Sequence, residues 1–158
     1  MTNFTKTSKA VIFVSPAQRL DYITRKESMV GAALQPGTVV KEADGKFVAS
    51  DGTGMQYILD RDHLAGKWVD GTAYEANDRA TAFWPQDGLV LNVMTAEKLD
   101  ITEDDPLYAG SDGILTTDSG ASEGSDDAEA TPANPVFGYA AETINTGDSA
   151  ELVAVKFI

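Results

Sequence analysis

The chain has 158 residues, 42% of them apolar, no cysteine and a formal net charge of −13. That length suits one domain able to bury about 68–70% of its unfolded surface, so no covalent staple is required. The missing cysteine excludes disulfides, zinc–thiolate sites and thiol catalysis, and the negative charge repels phosphate, which argues against nucleic-acid binding.

The charge is unevenly spread. Residues 1–98 carry 11 Lys/Arg and 12 Asp/Glu, whereas residues 99–158 carry Lys156 alone against 13 acids. Residues 1–26 lean the other way, with Lys6, Lys9, Arg19, Arg25 and Lys26 against Asp21. A basic start and an acidic second half favour solubility, or a partner of matching positive charge. Val11–Val14 is too short for a signal core or a membrane span. The expected protein is soluble, made in the cytoplasm and not membrane-bound.

In chain order, residues 1–10 are polar and read as an arm, followed by a short strand at Val11–Val14. Ser15-Pro16-Ala17-Gln18 has the order of a capped helix start, so a short helix is expected over Pro16–Lys26. From residue 28 strand signals dominate. Gly37-Thr-Val-Val40, Asp44-Gly45 and Phe47-Val48 form one hairpin signal. Pro106-Leu-Tyr108, Asp112-Gly113 and Ile114-Leu115 repeat it, and the pair suggests repeated β units within one barrel. Met55–Leu59, Ala82–Trp84 and Leu89–Met94 read as further strands, with Leu89, Leu91 and Val93 on one face. Residues 60–80 read as a long loop holding Trp68 and Tyr74.

Residues 118–135 form an acidic low-complexity tract without large apolar side chains, expected to be an exposed, mobile loop. The closing stretch Val136–Ile158 reads as strand, turn, strand. Its last strand is apolar on both faces, with Val153, Val155 and Phe157 on one and Leu152, Ala154 and Ile158 on the other. A strand of that kind is covered on both sides. The barrel core supplies one cover, and a neighbouring subunit is the expected other.

The fold class is therefore mainly β, a small antiparallel β-barrel or β-tulip-like domain with at most one or two short helices. Residues 1–26 form an N-terminal arm and residues 27–158 a single β-rich domain.

Signals for chemistry are weak. His63 sits among Asp60 and Asp62, but no Gly-x-Ser-x-Gly elbow accompanies it, so a solvated histidine is the better reading. Glu103-Asp104-Asp105 is the densest acid cluster for a hydrolase pair, with Glu103 and Asp105 the best candidates; clustered acids on a turn are more often simply solvated. The calcium-loop spacing and the phosphate-loop motif are both missing, and Gly52-Thr-Gly54 is too short for a dinucleotide fingerprint. Trp68 and Trp84 read as packing residues ahead of a sugar platform. No catalytic, cofactor-binding or metal-binding residue is assigned, no cofactor is expected, and the protein is not expected to be an enzyme.

The closing sequence Phe137-Gly-Tyr-Ala-Ala-Glu-Thr-Ile, then Thr146-Gly-Asp-Ser-Ala, then Glu151-Leu-Val-Ala-Val resembles the end of tailed-bacteriophage head decoration (capsid cement) proteins. Leu34-Gln-Pro-Gly-Thr-Val-Val40 with Asp44-Gly-Lys-Phe-Val48, and Asp105-Pro-Leu-Tyr108 with Asp112-Gly-Ile-Leu115, are similar to them as well. The resemblance implies a structural virion protein on the outer head surface, bound to the major capsid protein and bracing the shell against packed DNA. It implies self-association, as a homotrimer or a dimer. Lys6, Lys9, Arg19, Arg25 and Lys26 become the candidates for docking onto the capsid. Leu152, Ala154, Phe157 and Ile158 become the candidates for subunit contact. The alternative is another virion surface module, such as a head-fibre base or a carbohydrate-binding domain presenting Trp68, Tyr74 and Trp84.

Overall fold

The computed structural model describes residues 12–15, 24–62, 64–67, 72–125, 129–130 and 132–158. Among them every regular element is a strand: β1 (Phe13–Ser15), β2 (Arg25–Val30), β3 (Val39–Ala43), β4 (Lys46–Ala49), β5 (Gln56–Leu59), β6 (Arg79–Phe83), β7 (Val90–Thr95), β8 (Asp100–Ile101), β9 (Pro106–Ala109), β10 (Leu115–Thr116), β11 (Gly138–Ala140), β12 (Ile144–Asn145) and β13 (Glu151–Lys156). The mainly β class holds. Most of the helix expected over Pro16–Lys26 lies outside the described residues, but its last two positions, Arg25 and Lys26, open β2 as extended chain. Pairing with Phe83 and Ala82 decides their conformation.

Two barrels close. The first runs β2-β4-β3-β5-β6 and back to β2. The second runs β7-β10-β9-β11-β13 and back to β7, with β1 attached to a free stretch of β7. The two hairpins that the sequence places in one barrel thus belong to two. Closure pairs each end strand and removes long open edges.

The barrels are the same unit used twice. Numbering the strands of each one to five, both rings run first-third-second-fourth-fifth. In both, the first and third strands are parallel and every other pair is antiparallel. Register matches at every seam. Val30↔Phe47 corresponds to Thr95↔Leu115, and Glu42↔Phe47 to Ala109↔Leu115. Val39↔Ile58 corresponds to Pro106↔Tyr139, Ile58↔Phe83 to Tyr139↔Lys156, and Arg25↔Phe83 to Val90↔Lys156.

The connections match too. A turn closes with Thr38 N donating to Gln35 O at 3.2 Å in one and Asp105 N to Thr102 O at 3.0 Å in the other. Its third residue has positive φ in both, 90° at Gly37 and 75° at Asp104. Gly37 N donates to Leu59 O as Asp104 N does to Ala140 O, at 2.8 and 2.9 Å. The isolated Leu34↔Tyr74 bridge stands where the second barrel has the β8–β12 ribbon.

Packing differs inside this shared frame. The first barrel is filled by Val30, Val40, Phe47, Tyr57, Leu59, Ala80 and Ala82, all buried. At the corresponding positions the second holds Thr95, Leu107, Leu115, Gly138, Ala140, Val153 and Val155. Large rings against alanines in one are exchanged for valines against a glycine in the other, which conserves filled volume without conserving identity. A Cβ on Gly138 would lie 2.6 Å from Val155 Cγ1, so the exchange is tight.

The barrels also share a core. Val39, Ile58 and Phe83, on the outer face of the first barrel, are at most 1% exposed and belong to one apolar cluster with the interior of the second. The face of β7 and β13 carrying Met94 and Leu152 is covered by Gly37 and Ile12. The inner face of the last strand is therefore covered, and so is its outer face at Leu152, while Ala154 is half-buried and Ile158 is exposed. For Leu152 the second cover is this chain's own first barrel and N-terminal segment, in place of the neighbouring subunit the sequence reading expects.

Candidate docking surface

Lys6, Lys9 and Arg19 lie outside the described residues, as do His63 and Trp68. The two remaining basic candidates, Arg25 and Lys26, are adjacent on β2 and so point to opposite faces. The Arg25 guanidinium lies over the Phe83 ring, 5.1 Å from its centroid, on the outer surface. Lys26 occupies the position that Leu91 fills in the second barrel. Its ammonium pairs with Glu42 and stands 5.7 Å over the Tyr57 ring. Hydrogen bonding to the Glu42 carboxylate raises the Lys26 pKa above the ordinary 10.5. Glu42 in turn stands where the second barrel has Ala109, so a charged pair sits at one barrel's mouth where the other is apolar.

Of the four subunit-contact candidates, Leu152 and Phe157 are about 5% exposed or less and packed within the chain. Phe157 meets Phe137 edge to face at 5.5 Å. Ala154 is half-buried and Ile158 is 79% exposed, so these two alone of the four present accessible surface.

Arg25 opens onto a cleft of about 340 Å³ lined by Glu27, Asp60, Arg61, Asp62, Tyr74 and Arg79. Tyr74 forms its floor: 1% exposed, it donates its hydroxyl to Asp60 O at 2.8 Å. Burial, then the charges of Asp62, Asp60 and Asp78, push its pKa well above the ordinary 10. The segment expected as a long loop thus reaches into the core at Tyr74, and its last two residues, Arg79 and Ala80, open β6; Tyr74 is a packed residue with no face for a sugar ring. Trp84 is half-buried and packs edge-on against Tyr57 at 5.4 Å.

The hydrolase candidates have structural employment. Asp105 Oδ2 accepts the Thr102 N–H at 2.8 Å and holds its own turn. Glu103 lies 3.8 Å from the Lys156 ammonium, which also pairs with Asp104. That second contact raises the Lys156 pKa.

The acidic tract joins β10 to β11, where the first barrel has only Ser50–Met55. Its described residues are mostly exposed. Asn134 ties it down, donating N–H to Ser119 O at 2.8 Å and its amide to Ala109 O at 3.5 Å. Among the described residues no group of three or more His, Asp or Glu side chains is placed to hold a metal ion.

The surface thus consists of two closed barrels with acidic turns around the second and arginines over the outer sheet of the first. No protein-family model matches the chain, and no curated protein matches it.

Proposed function

We propose that this is a structural virion protein that binds the outer surface of an assembled phage capsid and stabilises it against internal DNA pressure. The reading rests on the resemblance of the closing hairpin and of the two Asp-Gly hairpins to head decoration proteins. The observation that carries it furthest is the shared core of two like barrels. A brace must be stiff along its length, and Val39, Ile58 and Phe83 weld one barrel to the other with solvent-free packing. Two barrels also set one strand frame twice at a fixed spacing, which suits a lattice of repeated subunits. A single micromolar contact supplies about 8 kcal/mol, and hundreds of copies multiply it over a shell.

The test is to mix the protein with expanded heads that lack it. Saturable binding and heads that survive higher temperature are expected; failure to bind the cognate shell contradicts the reading. Removing residues 1–11, which takes away Lys6 and Lys9 and spares the buried Ile12 and β1, should weaken binding while leaving the barrels folded, and unchanged affinity would take those two lysines out of the account.

A further inference from the structure

The joint between the barrels is a protruding turn of one seated in a groove of the other. Gly37 O accepts the Met94 N–H at 2.8 Å, and a Cβ on Gly37 would stand 2.6 Å from Leu152 Cδ2. Val39 N donates to Gly113 O at 2.8 Å, and a Cβ on Gly113 would lie 2.2 Å from Val39 O. Because register is shared, each of these residues has a counterpart on the faces that the joint leaves unused. The groove residues Met94, Leu152 and Gly113 correspond to Met29, Arg79 and Gly45 on the first barrel. The turn residues Gly37 and Val39 correspond to Asp104 and Pro106 on the second.

Among the described residues both unused faces are open. Met29 is 53% exposed, and the side chains of Arg79 and Asp104 are 79% and 74% exposed. Pro106 is exposed. Among the described residues nothing lies within 4 Å of a Cβ on Gly45, whose φ of 74° equals that of the buried Gly113. The counterparts are also complementary. Where Leu152 meets Gly37 inside the chain, the open copies offer Arg79 to Asp104, opposite charges at matching positions. Met29 keeps the residue type of Met94.

We propose that a second copy of this chain docks here head to tail. The Thr102–Pro106 turn of one molecule enters the Met29–Arg79–Gly45 groove of the next, repeating between chains the joint made once within each. One corner differs. Pro106 has no N–H to donate, and Gly45 O already accepts Ser28 Oγ at 3.0 Å, so that corner is a packing contact. Asp104 leaves Lys156, and Arg79 leaves Glu27 at 3.9 Å; both are surface pairs that rearrange at little cost. A turn at one end and a groove at the other define a heterologous interface, which forms rings or open runs and never a two-fold pair. This docking needs no capsid and stands or falls apart from the proposed virion role.

Sedimentation of the full chain over rising concentration reads it. The unmodified protein should gain mass with concentration. Arg79→Glu and Asp104→Lys should each weaken association at least about tenfold. Asp104→Asn, which tolerates the positive φ, should weaken it less and guards against a folding artefact. Mixing the Arg79→Glu and Asp104→Lys chains should restore association, because each then offers the face the other lacks. A protein that stays monomeric up to about 1 mM, charge reversals without effect, or a mixture that does not recover would each overturn the proposal.

Discussion

The two barrels share a strand order, a register and a turn geometry, yet they spend their end positions differently. The second closes its interior with Leu91 and Ala109, while the first places Lys26 and Glu42 at the same sites. The second buries the glycine of its Asp-Gly turn, Gly113, against Val39; the first leaves Gly45 open. The difference teaches that ring topology is set by backbone pairing and filled volume, while the outer positions remain free to become a core, a mouth or a surface. A methionine pair, Met29 and Met94, is the one identity among the paired strands of the two repeats.

Breaking the second ring should have the largest effect. Deleting Leu152–Ile158 removes the strand that closes β7 to β11 and opens the shared core. Circular dichroism should show no cooperative melt, and a truncated chain that still melts sharply would mean that the closing strand is dispensable. Next comes a matched pair of core substitutions. Leu91→Ala, at a fully buried site, should cost about 2–5 kcal/mol in denaturant unfolding. Lys26→Ala at the same register should cost far less, because its site opens to water. Equal costs would deny that the two interiors differ at this position.

The two turn glycines sharpen the comparison further. Gly45→Ala meets only the strain of positive φ, about 1–2 kcal/mol. Gly113→Ala meets that strain and the Val39 carbonyl, adding about 1–3 kcal/mol. A gap between the two melts measures the joint itself.

The smallest effect is on acid stability. Asp51 is held well below the ordinary 3.8 by hydrogen bonds from Lys41 and then from the Thr53 hydroxyl and N–H. Asp78 is lowered by the Glu75 N–H and then by Lys67. A lowered folded value stabilises fully above the unfolded value near 3.8 and fades as pH falls below it toward the folded value. The melting temperature should therefore sag below about pH 4, and Asp51→Asn should flatten that slope.

Much of this was legible beforehand, for local reasons. Asp44-Gly45 takes φ of 52° and 74°, the two positive values a two-residue hairpin turn demands, and that chemistry shows in sequence. The near-continuous apolar run revealed β13 as a strand with a buried inner face and, at Leu152, a covered outer one. What covered it was not legible, because Leu152 is apolar whether it meets a neighbour or Gly37 of its own chain. The second ring was hidden too. The pairing of β13 with β7 joins residues far apart in sequence, and volume exchange between Tyr57 and Gly138, or Ala82 and Val155, erased the identities that would betray a repeat. Two similar hairpins were the surviving trace. Arg25 and Lys26 are neighbours in sequence, but alternation along β2 sends the two charges to opposite faces, which only the strand assignment reveals.

The central claim is that the joint is a core, so that two like barrels behave as one body. Scanning calorimetry measures it directly. A single transition whose calorimetric and van't Hoff enthalpies agree is the result expected. Two separated transitions, one for each barrel, would contradict it.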